Sequence, residues 1–250
     1  MRTLNGRRAV VTGAASGLGR AVALRFVDDG IGHLTLLDRD AAGLDEVVEE
    51  LGGKGVEVRS AVVDVTDPDA VRTAVRDAAS AAGGLDVMVN NAGIVTKSAR
   101  VHNIAIDDLR RLLEVNFFGV FHGMQAALAI MRPAGGGSII NTASVAGMSA
   151  MSHSGAYGAS KAAVIQLTKV AAVEYAPDGV RVNCVCPGTF ESALNSSIRA
   201  DGMAMMVAAT PLGRIASATE IAGAFSYLAS DDSSFVTGTA LVVDGGYSTP

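Results

Sequence analysis

The sequence predicts an α/β fold built on a doubly wound parallel sheet of seven strands with helices on both faces. Short β-rich runs alternate with longer helical patterns along all 250 residues, the order that a parallel sheet with crossover helices requires. Several of the runs are continuously apolar, as strands buried on both faces must be. No linker, internal repeat or low-complexity tract divides the chain, so residues 1–250 read as a single domain, and right-handed crossovers then give one sheet.

The candidate strands cover 8–12, 33–37, 56–63, 85–90, 138–142, 180–185 and 239–243. Candidate helices start near Ser16, Ala41, Asp67, Ile106, Ser154, Glu191 and Ala218. Asp67-Pro68 has the form of an N-cap followed by proline at the first helical position, and 176–179 (Ala-Pro-Asp-Gly) reads as a helix stop. The helix over 106–131 carries an apolar stripe at Leu109, Leu113, Phe117, Val120, Met124 and Leu128, with Asn116 beside it. A buried amide there needs partners: it is either a hydrogen-bonded core asparagine or an organiser of backbone and water near an active site.

Composition narrows the function. Hydrophobic residues make up 49% and charged residues 18%, which excludes a disordered chain. The net charge of −5 argues against a nucleic-acid partner. No uninterrupted apolar run approaches a membrane span, and the run after Arg7-Arg8 is too short for a signal-peptide core, so the chain reads as soluble and cytoplasmic. The two cysteines, Cys184 and Cys186, project from one face of a strand as small buried hydrophobes. Four scattered histidines show no ligand spacing, and no metal site is expected.

The first strand runs directly into Thr12-Gly13-Ala14-Ala15-Ser16-Gly17-Leu18-Gly19 and then a helix. A strand-to-helix turn whose N–H groups must approach a pyrophosphate needs residues without Cβ at the bend and at the helix start, and Gly13, Gly17 and Gly19 meet that need. The fold is therefore Rossmann-type and the ligand a dinucleotide. Asp38 ends the second strand, 19 residues after Gly19, close to the spacing expected of a ribose-binding acid. Its carboxylate accepts two ribose hydroxyls, whereas a 2′-phosphate beside it meets repulsion of about 4 kcal/mol per charge pair at ~4 Å and effective dielectric ~20. NAD is expected over NADP, with Arg39 the one nearby group able to pair with a 2′-phosphate.

Tyr157 and Lys161 stand four apart at the start of a helix and share a face. A phenol of ordinary pKa near 10 needs about 4 kcal/mol of preference for phenolate to titrate near 7. A neighbouring ammonium, joined by a positively charged oxidised nicotinamide, supplies that order of energy. Ser144 ends a strand 13 residues before Tyr157, enough chain to return both groups to one site.

Taken together, TGAASGLG, Asp64 in Val63-Asp64-Val65, NNAG from Asn90 to Gly93, Asn116, Ser144, the Tyr157/Lys161 pair, Pro187-Gly188 and Val243-Asp244-Gly245-Gly246 make the chain resemble the short-chain dehydrogenase/reductase family over essentially its whole length. The resemblance implies Tyr157 as proton donor or acceptor, Ser144 as the hydroxyl holding the substrate oxygen, Lys161 as tuner of Tyr157 and ligand of the nicotinamide ribose, and Asn116 as holder of a relay water. It further implies cofactor contacts from Ser16 and Leu18 in the turn, from Asp64 and Val65 at the adenine, and from Asn90, Ala92 and Gly93 along the cleft. Pro187, Gly188, Phe190 and Ser192 complete that set, with Ser192 at the carboxamide. The family usually has a smaller aliphatic where Phe190 stands and threonine where Ser192 stands. The expected reaction is reversible hydride transfer between a carbinol carbon and the nicotinamide.

The segment from about 190 to 212 is expected to cover the substrate. It holds Met203, Met205 and Met206, and with Met148 and Met151 these suggest an adaptable apolar wall for a cyclic or steroid-like secondary alcohol or ketone. His153 is expected to face solvent rather than substrate. Small residues along the helix from Tyr157 allow close helix packing, and the resemblance implies a homo-oligomer, tetramer or dimer. Two rivals remain. An NADPH-dependent 3-oxoacyl-carrier-protein reductase is resembled through Pro211-Leu212-Gly213-Arg214, but Asp38 and the absence of a basic residue at 176–179 disfavour it. A dinucleotide-sensing protein without turnover is disfavoured by the intact Asn116, Ser144, Tyr157, Lys161 set.

Overall fold

The computed structural model describes residues 3–191 and 200–249. Seven parallel strands, β1 (Arg8–Thr12), β2 (His33–Asp38), β3 (Glu57–Val62), β4 (Val87–Asn90), β5 (Gly137–Thr142), β6 (Val180–Pro187) and β7 (Ala240–Val243), form one sheet in the order β3-β2-β1-β4-β5-β6-β7. This is the Rossmann-like architecture expected. The order reverses between β1 and β4, which pair in parallel with Val10 opposite Met88. The two connections leave that point in opposite directions and open a crevice beyond the carboxyl ends of the strands.

Successive side chains of a strand point to opposite faces, and the core divides accordingly. Val11, Val89, Ile140 and Val185 face one layer, formed by α1 (Gly17–Asp28), α2 (Ala41–Leu51) and α8 (Ala218–Ala229). Val10, Met88, Ile139 and Cys184 face the other, formed by α3 (Pro68–Ala82), α5 (Gly119–Ala134) and α6 (Gly155–Tyr175). Cys186 joins Cys184 on that second face, both fully buried, as the strand periodicity requires.

Helix starts agree with their local chemistry. The Asp67 carboxylate accepts from the N–H groups of Asp69 and Ala70 ahead of Pro68, and Ser217 and Glu220 form a reciprocal cap at the start of α8. Strand ends differ by a residue or two. β4 begins at Val87, and just before it the Asp86 carboxylate accepts from the backbone N–H and guanidinium of Arg8. β3 lies at the sheet edge and is half exposed.

The helix expected over 106–131 is not continuous. It comprises α4 (Ile106–Leu113), a π-helical turn (Glu114–Phe118) and α5, which runs on to Ala134. The wider turn rotates the buried face, so Leu112 rather than Leu109 or Leu113 is fully buried, while Val120, Met124 and Leu128 keep the expected stripe. By length and composition Ile106–Ala134 could cross a bilayer, but its apolar stripe is packed in the core against α3 and the sheet. The helix expected from Glu191 falls largely on residues 192–199, outside the described ones; α7 (Ala200–Ala209) follows them.

Candidate active site

A cavity of about 840 Å³ occupies the crevice at the strand ends. At its first end β1 delivers the glycine turn. Gly13 and Gly17 adopt left-handed backbone at φ 67° and 53°, open to residues without a Cβ. A Cβ on Gly13 would lie 2.7 Å from Ala92 Cα, and one on Gly19 only 2.0 Å from the Gly13 carbonyl oxygen. Gly13, Ser16, Gly17 and Leu18 line the cavity, while Gly19 supports the turn from behind. Ser16, in extended backbone, caps α1 without a side-chain bond.

Asp38 sits at the end of β2, its two carboxylate oxygens accepting from Ala15 N at 3.0 Å and Asp40 N at 3.1 Å, and it lines the same end. Each oxygen keeps a second lone pair for a ligand hydroxyl. Asp64 and Val65 line the wall beyond. The Thr66 backbone N–H and hydroxyl both donate to Asp64 and hold its carboxyl below the ordinary range.

Asn90 lies beneath the cavity floor rather than on it, buried under the cleft it was expected to support. Its amide donates to Asn141 Oδ1 at 2.9 Å, Asn141 donates to Thr168 Oγ1, and Thr168 donates to Val164 O. The neighbouring Asn91, quoted in the NNAG motif but given no role, lines the cavity. Its amide donates to the carbonyls of Thr12 and Gly13 at 3.1 and 3.2 Å, while Thr12 Oγ1 accepts from the N–H groups of Asn91 and Ala92. Asn91 thus fastens the glycine turn to β4. The alternation of side chains past a strand end was the available signal for which asparagine faces up.

At the centre, α6 presents Tyr157 and Lys161 one turn apart, and both line the cavity with Ser144 from the end of β5. Lys161 is 3% exposed; its ammonium lies 5.9 Å from the Tyr157 ring centroid and donates to Thr142 O at 2.8 Å. Burial draws the Lys161 ammonium down to about 8. Burial pushes the Tyr157 phenol up, and a hydrogen bond with Ser144 opposes the rise. Desolvation of the phenolate is the largest cause of that rise.

Asn116 does not reach the cavity. It is fully buried in the π-helical turn, with Oδ1 accepting from Ile94 N at 2.8 Å and its amide donating to Ile94 O at 2.9 Å and Ser160 Oγ at 3.3 Å. Ser160 Oγ in turn donates to Tyr157 O at 2.7 Å. A Cβ on Gly93 would stand 3.3 Å from Asn116 Oδ1 and 3.5 Å from Lys161 Nζ, so these groups meet under Gly93.

Ala92, Gly93, Pro187, Gly188 and Phe190 line the cavity; Ser192 lies outside the described residues. Of the five methionines expected in the walls, Met151 and Met206 line it, whereas Met148, Met203 and Met205 do not. Met148 and Met205 are turned to solvent, at 49% and 68% exposure. His153 is exposed and also lines the cavity. Sequence reasoning missed the 94–99 loop, Asn103 to Ala105, and Tyr247 as walls; none carries a spacing that marks it. Among the described residues no cluster could hold a metal ion.

This fold and this site define a dinucleotide-dependent oxidoreductase acting on CH–OH groups. The family model described as enoyl-(acyl carrier protein) reductase matches residues 13–248, and the chain belongs to the short-chain dehydrogenase/reductase family. It is 42% identical to a cis-4-hydroxycyclohexanecarboxylate dehydrogenase of Sinomonas cyclohexanicum, with 96% of each chain covered. It is 36% identical to a cyclohexanol dehydrogenase of Acinetobacter sp. (strain SE19), over 97% of this chain and 95% of that one. The crystal structure of a short-chain type dehydrogenase/reductase from Mycobacterium marinum superimposes with a TM-score of 0.94 at 39% identity, covering 99% of this chain and 97% of the other. Membership implies an NAD(P) cofactor. The residues fit one: the turn has no room for a Cβ at Gly13 or Gly19, the start of α1 faces the cavity, and a carboxylate ends β2.

Proposed function

We propose that the protein interconverts a cyclic secondary alcohol and its ketone with NAD. The observation that carries this is the convergence of Ser144, Tyr157 and Lys161 on the cavity that also holds the glycine turn and Asp38. The nicotinamide, when bound, supplies the hydride acceptor or donor. Tyr157 exchanges the proton of the carbinol oxygen, and Ser144 hydrogen-bonds that oxygen as negative charge develops. Lys161 holds the nicotinamide ribose and stabilises the phenolate. Because burial raises the phenol, a second positive charge beside it is required for titration near neutral pH. Asn116, through Ile94 and Ser160, fixes the backbone around Tyr157.

The Asp38 carboxylate favours two ribose hydroxyls over a 2′-phosphate, hence NAD; Gly13, Ser16, Gly17 and Leu18 hold the pyrophosphate, with Gly19 supporting their turn. Asp64 and Val65 border the adenine, and Pro187, Gly188, Phe190 and Ser192 border the carboxamide. Apolar walls from Ile94, Val145, Met151 and Met206 suit a saturated ring, in keeping with the ring alcohols that the two dehydrogenases above are named for. Residues 1–250 act as one domain, and the segment from about 190 to 212 covers the substrate. The protein works in the cytoplasm as a homo-oligomer, tetramer or dimer, on a small molecule. Val170 and Val173, exposed on α6 at 42% and 78%, suit a helix-to-helix contact between copies. An alcohol panel run with NAD and with NADP tests this: cyclic secondary alcohols with NAD should give the highest kcat/KM. Preference for NADP, or no NADH formed from any alcohol, would overturn it.

A further inference from the structure

His153 is the one non-glycine residue among those described with a left-handed backbone, at φ 66°. Residues with a Cβ populate that region sparsely, and they persist there where the surroundings fix them. The surroundings here are the 94–99 loop. Ala99 N donates to His153 O at 3.0 Å, and Ala99 pairs with Ser154 in a short parallel bridge. Nδ1 of His153 lies 2.9 Å from Ser152 Oγ, while Nε2 has no hydrogen-bond partner among the described residues, and the residue lines the cavity. Lys97, two residues before Ala99, lines the same cavity and makes no hydrogen bond or ion pair among the described residues.

Charge is unevenly spread along the cavity. Asp38, Asp40 and Asp64 line the end beside β2 and β3, two strands and more from β5 and the start of α6. On the His153 side the lining acid is Asp108, which pairs with neither Lys97 nor His153. Ile94, Val95 and Met151, from the same two segments as Lys97 and His153, add apolar lining to the cavity. Lys97 is two residues from the Ala99 bridge that holds His153, so the loop brings an ammonium and an imidazole to one wall; an ammonium donates to a carboxylate, and a protonated imidazole donates from both nitrogens.

We propose that Lys97 and His153 form a subsite for a carboxylate carried by the substrate ring, on the side away from the carbinol. This rests on the secondary-alcohol reading and names its substrate class: a hydroxylated alicyclic acid. The test compares kcat/KM for cis-4-hydroxycyclohexanecarboxylate and for cyclohexanol in the wild type, Lys97→Met and His153→Asn. Asparagine tolerates left-handed backbone, so this change shortens the side chain without forcing the loop. The wild type should favour the acid by about tenfold or more, each variant should cut that ratio by about tenfold, and added salt should shrink it. A wild-type ratio near or below one, or a ratio that neither variant lowers, overturns the subsite while leaving the alcohol chemistry standing. If the wild type oxidises neither compound, the alcohol reading falls, and the subsite with it.

Discussion

The two ends of the cavity are built differently. At the glycine-turn end, backbone and short side chains make the surface: Gly13 and Gly19 are pressed against Ala92 and the turn itself, and Asn91 and Thr12 tie β1 to β4 through four hydrogen bonds. At the other end, loops make it. The 94–99 strand of chain, the turn before α6, Met206 of α7 and the C-terminal Tyr247 come together from four separate stretches of sequence. A shape set by backbone leaves no slack for a side chain, whereas one set by loops and methionines can be refilled. The first suits a ligand of constant shape, and the second a substrate that varies among relatives.

The strongest way to break that contrast is Gly19→Ala. Its Cβ would meet the Gly13 carbonyl at 2.0 Å, and backbone cannot step aside as a flexible side chain can. The variant is expected to weaken NADH binding by about 100-fold or more and to lose more than about 3 kcal/mol of stability, read by fluorescence titration and denaturant unfolding. NADH binding close to wild type would show that the turn has slack after all.

Between the two ends lies the buried charge of Lys161, a smaller effect that separates electrostatics from shape. Its folded value of about 8 lies below the ordinary 10.5, so between these the unfolded chain binds the extra proton. Stability therefore rises with pH across that window. Measured against Lys161→Met, the wild type should gain up to about 3 kcal/mol from pH 8 to 10.5, and no gain would show that the ammonium is not desolvated.

The same contrast explains what could be read from sequence. Strand and helix order, the glycine turn, Asp38 and the Tyr157/Lys161 face follow from local rules: period-two burial, missing Cβ atoms and one-turn spacing. Asn90 was expected along the cofactor cleft and lies under its floor; the motif alone does not separate it from Asn91, and only the alternation of side chains past the end of β4 does. The π-helical turn that buries Asn116 was invisible, since the apolar stripe reads as an unbroken helix and only tertiary packing selects the wider turn. Three of the five methionines expected in the wall lie outside it for a related reason: composition says that methionine is present, not which loop carries it inward. The burial that raises the Tyr157 phenol was likewise not legible, because adjacency to a cation can be read in spacing while desolvation depends on the finished fold.

The central claim is that the Tyr157 hydroxyl carries the proton. Tyr157→Phe removes that oxygen and keeps the ring. The variant should still bind NADH and yet lose turnover of a cyclic secondary alcohol by about 100- to 10,000-fold in kcat. Turnover close to wild type would contradict the assignment outright.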